Sequence, residues 1–191
     1  MTRTRVAVGA VVALVAVGIG WLLFVTLPKR YGGGPSKAVN AAASPTPAPA
    51  GRKIKARLFY VADDGQHLTS VERAVAYGEG AIAQAREIVA AQVGASAEPL
   101  VSPVPPGTLL RALYISDRGD AYVDLSREVS SAHPGGTATE LLTVYAIVDA
   151  LTVNLPAVRA VQILVDGKEQ DTLAGHVDLR HPHEKNLELV Q

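Results

Sequence analysis

Asp124, Ser126 and His133 are the side chains nearest to a catalytic set. Asp124 and Ser126 stand two residues apart, and His133 follows in the stretch Ser130-Ser131-Ala132-His133-Pro134-Gly135-Gly136. A serine paired with an imidazole that a carboxylate orients would be a nucleophile for acyl transfer. The local pattern argues for a plainer role. Asp124 alternates with Tyr122 along a strand-like run, which places its carboxylate to bond backbone amides at the strand's end. The chain has no cysteine, which removes thiol chemistry and disulfides together. It also has no Gly-x-Ser-x-Gly elbow, His-Glu-x-x-His pair or phosphate-binding glycine loop. A second candidate is His181-Pro182-His183-Glu184. Imidazole and carboxylate suit zinc or nickel, but only three ligands are present and Pro182 holds the backbone extended. An exposed C-terminal tail accounts for the same residues. His176, in Ala174-Gly175-His176-Val177-Asp178, reads as a residue bonding locally in a turn. No catalytic residue, metal site or cofactor is assigned, and the expectation is that the protein is not an enzyme.

Surface contact is the remaining route to function. Two loops are candidates: Pro103-Val104-Pro105-Pro106-Gly107 and the stretch from Ser130 to Gly136. Both are rich in Pro or Gly and lie at the ends of elements, where a rigid scaffold presents its contacts. Prolines pre-order the first loop and lower the entropy cost of binding. Val104, Pro105, Pro106 and His133 are therefore the candidate binding residues. Lys53, Lys55 and Arg57 share one strand face. They either form a solvated face that blunts an edge strand or meet an acidic partner such as anionic headgroups or wall polymer.

The elements that position these loops show in the punctuation. Asp63-Asp64-Gly65, Asp117-Arg118-Gly119 and Asp166-Gly167 suit tight hairpin turns. Before the first, Ile54, Ala56, Leu58 and Tyr60 alternate with Lys53, Lys55 and Arg57, and a partner strand runs from about His67 to Val75. Around the second lie Leu109 to Ser116 and Ala121 to Leu125. Around the third lie Ala160 to Val165 and Lys168 to Leu173. A helix from about Glu79 to Val93 carries Ile82, Ala85, Val89 and Val93 on one face, with Gln84, Arg86, Glu87 and Gln92 mostly off it. A second helix opens on Thr137-Ala138-Thr139-Glu140, a capping-box pattern with Thr137 as N-cap and Glu140 reaching back. Leu141, Val144, Tyr145, Val148, Leu151 and Leu155 form its stripe, and Pro156 ends it. The expected class is α+β: a mostly antiparallel sheet from three hairpins, in the order ββαββαββ, with both helices packed on one face. The proline-bearing connection from Gly94 to Gly107 is expected to be an ordered surface loop.

Upstream, Val6 to Leu27 is a run of 22 residues without charge. As a helix it covers roughly 33 Å, enough for a hydrocarbon core of about 30 Å. Its apolar core is longer than the 7–15 residues of a typical signal peptide, and no small-x-small cleavage site follows closely. The organisation expected is a cytoplasmic tail at 1–5, an uncleaved transmembrane anchor at 6–27, a Pro/Ala/Gly tether at 28–51, a domain at 52–180 and a tail at 181–191. Basic residues flank the span on both sides, and the short N-terminal tail favours an inside N-terminus with the domain exported. Residues 1–51 hold five basic groups and no acidic one, which leaves the remainder with thirteen basic against eighteen acidic residues. An acidic domain with few aromatics is a poor nucleic-acid binder.

Several pieces, in order, then resemble a known family: Leu58-Phe59-Tyr60-Val61, Pro103-Val104-Pro105-Pro106-Gly107-Thr108, Ala121-Tyr122-Val123-Asp124-Leu125-Ser126, a Glu-Leu-Leu helix, Val161-Gln162-Ile163-Leu164-Val165-Asp166-Gly167 and Leu173-Ala174-Gly175-His176-Val177-Asp178-Leu179. The set resembles the GerMN domain, named for sporulation and spore-germination proteins, from about Lys53 to Leu179. The resemblance implies an extracytoplasmic α+β domain of bacterial envelope proteins. Members include a lipoprotein that helps assemble the channel between mother cell and forespore and a mycobacterial lipoprotein that tunes a sensor kinase; neither is known as an enzyme. This chain departs from the pattern in its apolar span without a lipid-modified cysteine and in its single copy of the domain.

Two functional readings follow. One is a membrane-anchored, non-catalytic interaction domain of the cytoplasmic membrane that docks on another envelope protein or complex, in sporulation, germination or envelope assembly. The other is an accessory that binds or processes peptidoglycan or another glycan. Convergence of Asp124, Ser126 and His133 in one cleft would favour the second.

Overall fold

The computed structural model describes residues 51–96 and 98–191. The expected anchor at 6–27 and nearly all of the tether at 28–51 lie outside these residues. Among the described residues no helix is long and apolar enough to cross a membrane.

The element order is β1 (Lys53–Val61), β2 (Leu68–Ala76), α1 (Gly80–Val93), β3 (Leu110–Ile115), β4 (Asp120–Leu125), a short α2 (Glu128–Ser131), α3 (Thr137–Asn154), β5 (Ala160–Val165), β6 (His183–Glu184) and a 3-10 turn (Leu187–Leu189). The class is α+β, and most strand pairs are antiparallel. The strands form two sheets: the hairpin β1–β2, and a four-stranded sheet in the order β3-β4-β5-β6. β4 and β5 run parallel, because α2 and α3 carry the chain back to the end from which β4 started. The third expected hairpin makes a single rung, Val165 with Lys168. Its turn fits the sequence: Asp166 and Gly167 both adopt positive φ, at 50° and 75°, as the hairpin turn with two left-handed residues requires. Lys168 to Leu173 then leaves β5 rather than forming a strand, and carries the chain toward the start of α3.

The first hairpin stays a separate sheet because its outer edge is already occupied. Asn154, the last residue of α3, accepts from the Arg57 amide at 2.8 Å and donates to the Arg57 carbonyl at 2.7 Å. Gln92 of α1 does the same for Phe59, at 2.9 and 2.7 Å. The Val61 amide donates to the Val101 carbonyl at 2.9 Å. A carboxamide sets N–H donors beside a carbonyl acceptor, so each side chain stands in for one residue of a neighbouring strand. Gln84 repeats the device beyond β2, accepting from Gly78 and donating to the Ala76 carbonyl. This corrects the expected face of α1. Gln84 and Gln92 are buried with Ala85, Ile88 and Val89, whereas Ile82 is 45% exposed.

The two long helices touch each other; α3 also contacts β1 and β5, and α1 contacts β1, β2 and β3. Both sheets thus share one core, with Phe59, Leu113, Val123, Ile147, Val148, Leu151 and Ile163 fully buried. α3 is buried nearly all round, including Leu142, Ala146 and Ile147, which the expected stripe omitted, while Leu141 and Tyr145 are only half-buried. The 181–191 segment is largely exposed yet not free. β6 pairs with β5, the Asn186 amide donates to Asp149 at 3.0 Å, and the Gln191 amide donates to the Leu68 carbonyl at 2.8 Å.

Candidate functional site

The would-be catalytic set does not converge. Asp124 Oδ1 accepts from the Gly167 amide at 2.7 Å and so pins the β5 turn, with Arg111 bridging to Asp166 beside it at 2.9 Å. The Ser126 hydroxyl oxygen accepts from the Leu109 amide at 3.0 Å. His133 faces elsewhere, to Gly135 and Thr143. Each of the three is engaged in holding a turn or a loop. His183 bonds the Asp178 carbonyl at 2.8 Å and meets Tyr145 edge-on. Among the described residues no cluster of three or more His, Asp or Glu side chains is placed to hold a metal.

The four candidate binding residues do lie together. Val104, Pro105 and Pro106, in the loop before β3, and His133 with Pro134, in the loop before α3, line one cleft of about 280 Å³. Leu142 of α3 and Val61 of β1 also border it. Val104 is 4% exposed and Pro105 is buried, whereas Pro106 and Pro134 are exposed. The first loop's contribution is therefore partly an inner wall rather than a free surface. Pro103, Pro105, Pro106 and Pro134 carry no backbone N–H, and the Val104 amide donates to Ser102 Oγ at 3.1 Å. The Pro105 carbonyl is taken by the Thr108 amide and hydroxyl, at 3.3 and 2.7 Å, and the Pro103 carbonyl by the Thr143 hydroxyl at 2.5 Å. The cleft offers apolar wall and few unspent polar groups.

Behind the second loop stands Glu140, which sequence reasoning assigned to a capping box. Its side chain is fully buried and does not reach back to Thr137. Oε2 accepts from the amides of Ala174, His176 and Val177, at 3.1, 3.1 and 3.0 Å, and Oε1 pairs with His176 Nδ1 at 2.7 Å. Burial pushes this carboxyl up, but the Val177 amide, the His176 ring and the other two amides together outweigh it and hold the pKa at about 2. The local reading of His176 is corrected with it, since its partner is 36 residues away. The start of α3 is held instead by Thr139, whose hydroxyl donates to Gly135 or Gly136 carbonyls at 2.5 and 2.9 Å. Glu140 thus fastens the 174–177 turn to the first turn of α3. Ser130, one loop away, donates to the Leu173 carbonyl at 2.6 Å and ties α2 to the same turn.

A two-sheet α+β domain with a helix pair in its core, and loops gathered over one helix start, is the class that fold and site define. The chain belongs to the Germane family, described as sporulation and spore germination, whose family model matches residues 57–171. Solved structures share the fold. The first GerMN domain of the sporulation protein GerM from Bacillus subtilis is 14% identical, with a TM-score of 0.54, covering 69% of this chain and 97% of that one. The tandem GerMN domains of the same protein also match at 14% and 0.54, covering 72% of this chain and 48% of that one, so this chain spans about half of the tandem. A candidate lipoprotein from Clostridium perfringens is 23% identical, with a TM-score of 0.51, covering 70% and 88%. No curated protein matches the chain.

Proposed function

We propose that this is a membrane-tethered, extracytoplasmic and non-catalytic interaction domain of the bacterial envelope, and that the cleft between the two loops receives an apolar side chain of a partner protein. The observation that carries the reading is the cleft itself, which gathers Val104, Pro105, Pro106 and His133. Its volume, about 280 Å³, sits at the lower edge of the roughly 300–1,000 Å³ typical of small-molecule pockets and suits a side chain or two. A sugar would have to leave hydroxyls unpaired against proline walls, which costs about 1–3 kcal/mol for each unsatisfied group. That chemistry favours a protein partner over a glycan. The engagement of Asp124, Ser126 and His133 in loop bonding supports the non-catalytic half of the reading, and the apolar run 6–27 supports the tether. The family's sporulation and germination setting makes an envelope assembly the natural partner.

The test is site-specific crosslinking in intact envelopes, with Pro106→Glu and Ala132→Glu compared with the unchanged chain. Both positions are exposed cleft borders, so both variants should keep the parent melting temperature and lose the crosslinked partner. Unchanged capture by both folded variants refutes the cleft. Sedimentation with purified peptidoglycan that depends on the same residues would move the reading to wall polymer. Release of the protein by alkaline carbonate would remove the anchor.

A further inference from the structure

The hairpin β1–β2 has two outer edges, and only one is sealed along its length. On β1, Arg57 and Phe59 turn both backbone groups outward, to Asn154 and Gln92. Arg57 lies opposite Glu72, Phe59 opposite Ser70 and Lys55 opposite Ala74. In an antiparallel ladder, residues directly opposite either exchange their N–H and C=O groups or both turn them outward, in alternation. Ser70, Glu72 and Ala74 therefore point theirs away from β1. The ends of that row are taken. Gln84 donates to the Ala76 carbonyl at 3.1 Å, and the Gln191 amide donates to the Leu68 carbonyl at 2.8 Å. Between them, the outward groups of Ser70, Glu72 and Ala74 have no backbone partner among the described residues. Glu72 and Ala74 are exposed and Ser70 is half-buried. The open row spans roughly 17 Å. A groove runs beside it. α1 crosses the hairpin obliquely, from Gln84 next to Ala76 on the β2 edge to Gln92 next to Phe59 on the β1 edge. The crossing leaves an open groove of about 500 Å³ between Leu58, Arg73 and Val75 of the hairpin and Ala91, Gly94 and Ala95 at the end of α1.

We propose that the outer edge of β2 takes up an extended segment of a partner protein as a third strand, with alternate apolar side chains of that segment seated in the groove beside α1. Backbone pairing would supply the affinity and the groove the selectivity. The chain itself shows that this edge accepts a strand, because Val190 already makes one parallel rung with Leu68. The charges at the groove are spent. Arg73 lies over the Tyr60 ring, 5.7 Å from its centroid, and donates to its hydroxyl at 3.2 Å. Glu72 pairs with Lys55 at 3.3 Å. Leu58, Val75 and Ala91 then remain as walls, which suit an apolar side chain. A second copy of this chain does not fit. Paired antiparallel across a two-fold axis, in phase with the outward groups, it would set Glu72 against Glu72 or Arg73 against Arg73. Every other register carries it over Leu68 or Ala76, whose outward carbonyls are held by Gln191 and Gln84. Like charges directly opposite on adjacent strands are destabilising, so this edge is built against self-pairing and left open to a different chain. It shares no lining residue with the cleft of the proline loop and His133, and the two readings stand or fall separately.

The experiment uses the full chain, nitrogen-15 labelled, in detergent micelles. The probe is the peptide acetyl-Thr-Val-Thr-Val-Thr-amide, titrated while amide shifts and hydrogen exchange are followed. In the free chain the Ser70, Glu72 and Ala74 amides should exchange fast. With the peptide they should shift together and slow, and the peptide valines should show Overhauser contacts to Leu58 and Ala91. Glu72→Pro is the blocking variant. The Glu72 N–H points away from β1, so proline removes it without breaking the hairpin. The variant should keep the parent melting temperature and bind the peptide about tenfold more weakly or worse. Glu72→Ala should bind as the parent does. A peptide with aspartate in place of both valines should also lose about tenfold or more, since its carboxylates would be desolvated in the groove; this arm stands even where Glu72→Pro fails to fold. Absence of binding, shifts confined to other surfaces, full binding by a folded Glu72→Pro chain or equal binding of the aspartate peptide overturns the proposal. Slow exchange of the three amides before any peptide is added also overturns it, because the edge is then already occupied; protection that grows with protein concentration would assign it to a second copy.

Discussion

Glu140→Gln removes a charge from the most thoroughly bonded carboxylate of the domain while keeping its shape, since glutamine is nearly isosteric with the protonated acid. The loss can be worked from the structure. A carboxyl held at about 2 instead of its ordinary 4.5 contributes about 3 kcal/mol at neutral pH. Some screening reaches it through His176, whose side chain is 48% exposed, so about 2–3 kcal/mol is the expected loss. For a domain of this size that lowers the melting temperature by roughly 4–12 °C. The sign follows from the lowered pKa. The stabilisation is fully present above pH 4.5 and disappears as pH falls toward 2, because the protonated parent then matches the variant. Denaturant unfolding followed by circular dichroism, at pH 7 and at steps from pH 5 to 2.5, measures it. A loss below about 1 kcal/mol at pH 7, or a loss that stays constant down to pH 2.5, would refute the argument that the ionised carboxylate holds the 174–177 turn.

Asp149 should behave in the opposite sense. Burial raises it to about 6, against weaker pulls from the Asn186 amide and Lys185, and its Oδ2 has no hydrogen-bond partner among the described residues. Its cost appears as pH rises through 3.8 to 6, so Asp149→Asn should gain up to about 3 kcal/mol at pH 7.5 and little at pH 4; parallel pH–stability curves for variant and parent would contradict this. Gln92→Ala leaves the buried Phe59 N–H and C=O unpaired and should cost about 2–5 kcal/mol. Gln92→Glu should cost at least as much, because a carboxylate oxygen then faces the Phe59 carbonyl. A Gln92→Glu variant as stable as the parent would show that the amide does not cap the strand.

Much of this architecture was written in short-range pattern. Alternation in Lys53 to Val61, the glycine turns at 65, 119 and 167, and the apolar periodicity after Thr137 each concern neighbours a few residues apart, which is the range over which backbone preference and side-chain facing act. The same is true of the four loop residues, whose composition marked them before their meeting was visible. What tertiary structure alone decided is where the polar side chains go. Gln92 was expected off the apolar face of its helix, and Asn154 carried no signal of its own, yet their partners Phe59 and Arg57 stand 33 and 97 residues away. Glu140 fitted a capping box at its own helix end, and was claimed instead by a turn 34 to 37 residues on. The third hairpin stopped after one rung for a related reason, since the residues that would have continued it carry that turn to Glu140. A buried donor or acceptor must find a partner somewhere, and which one it finds depends on what the packed core brings beside it.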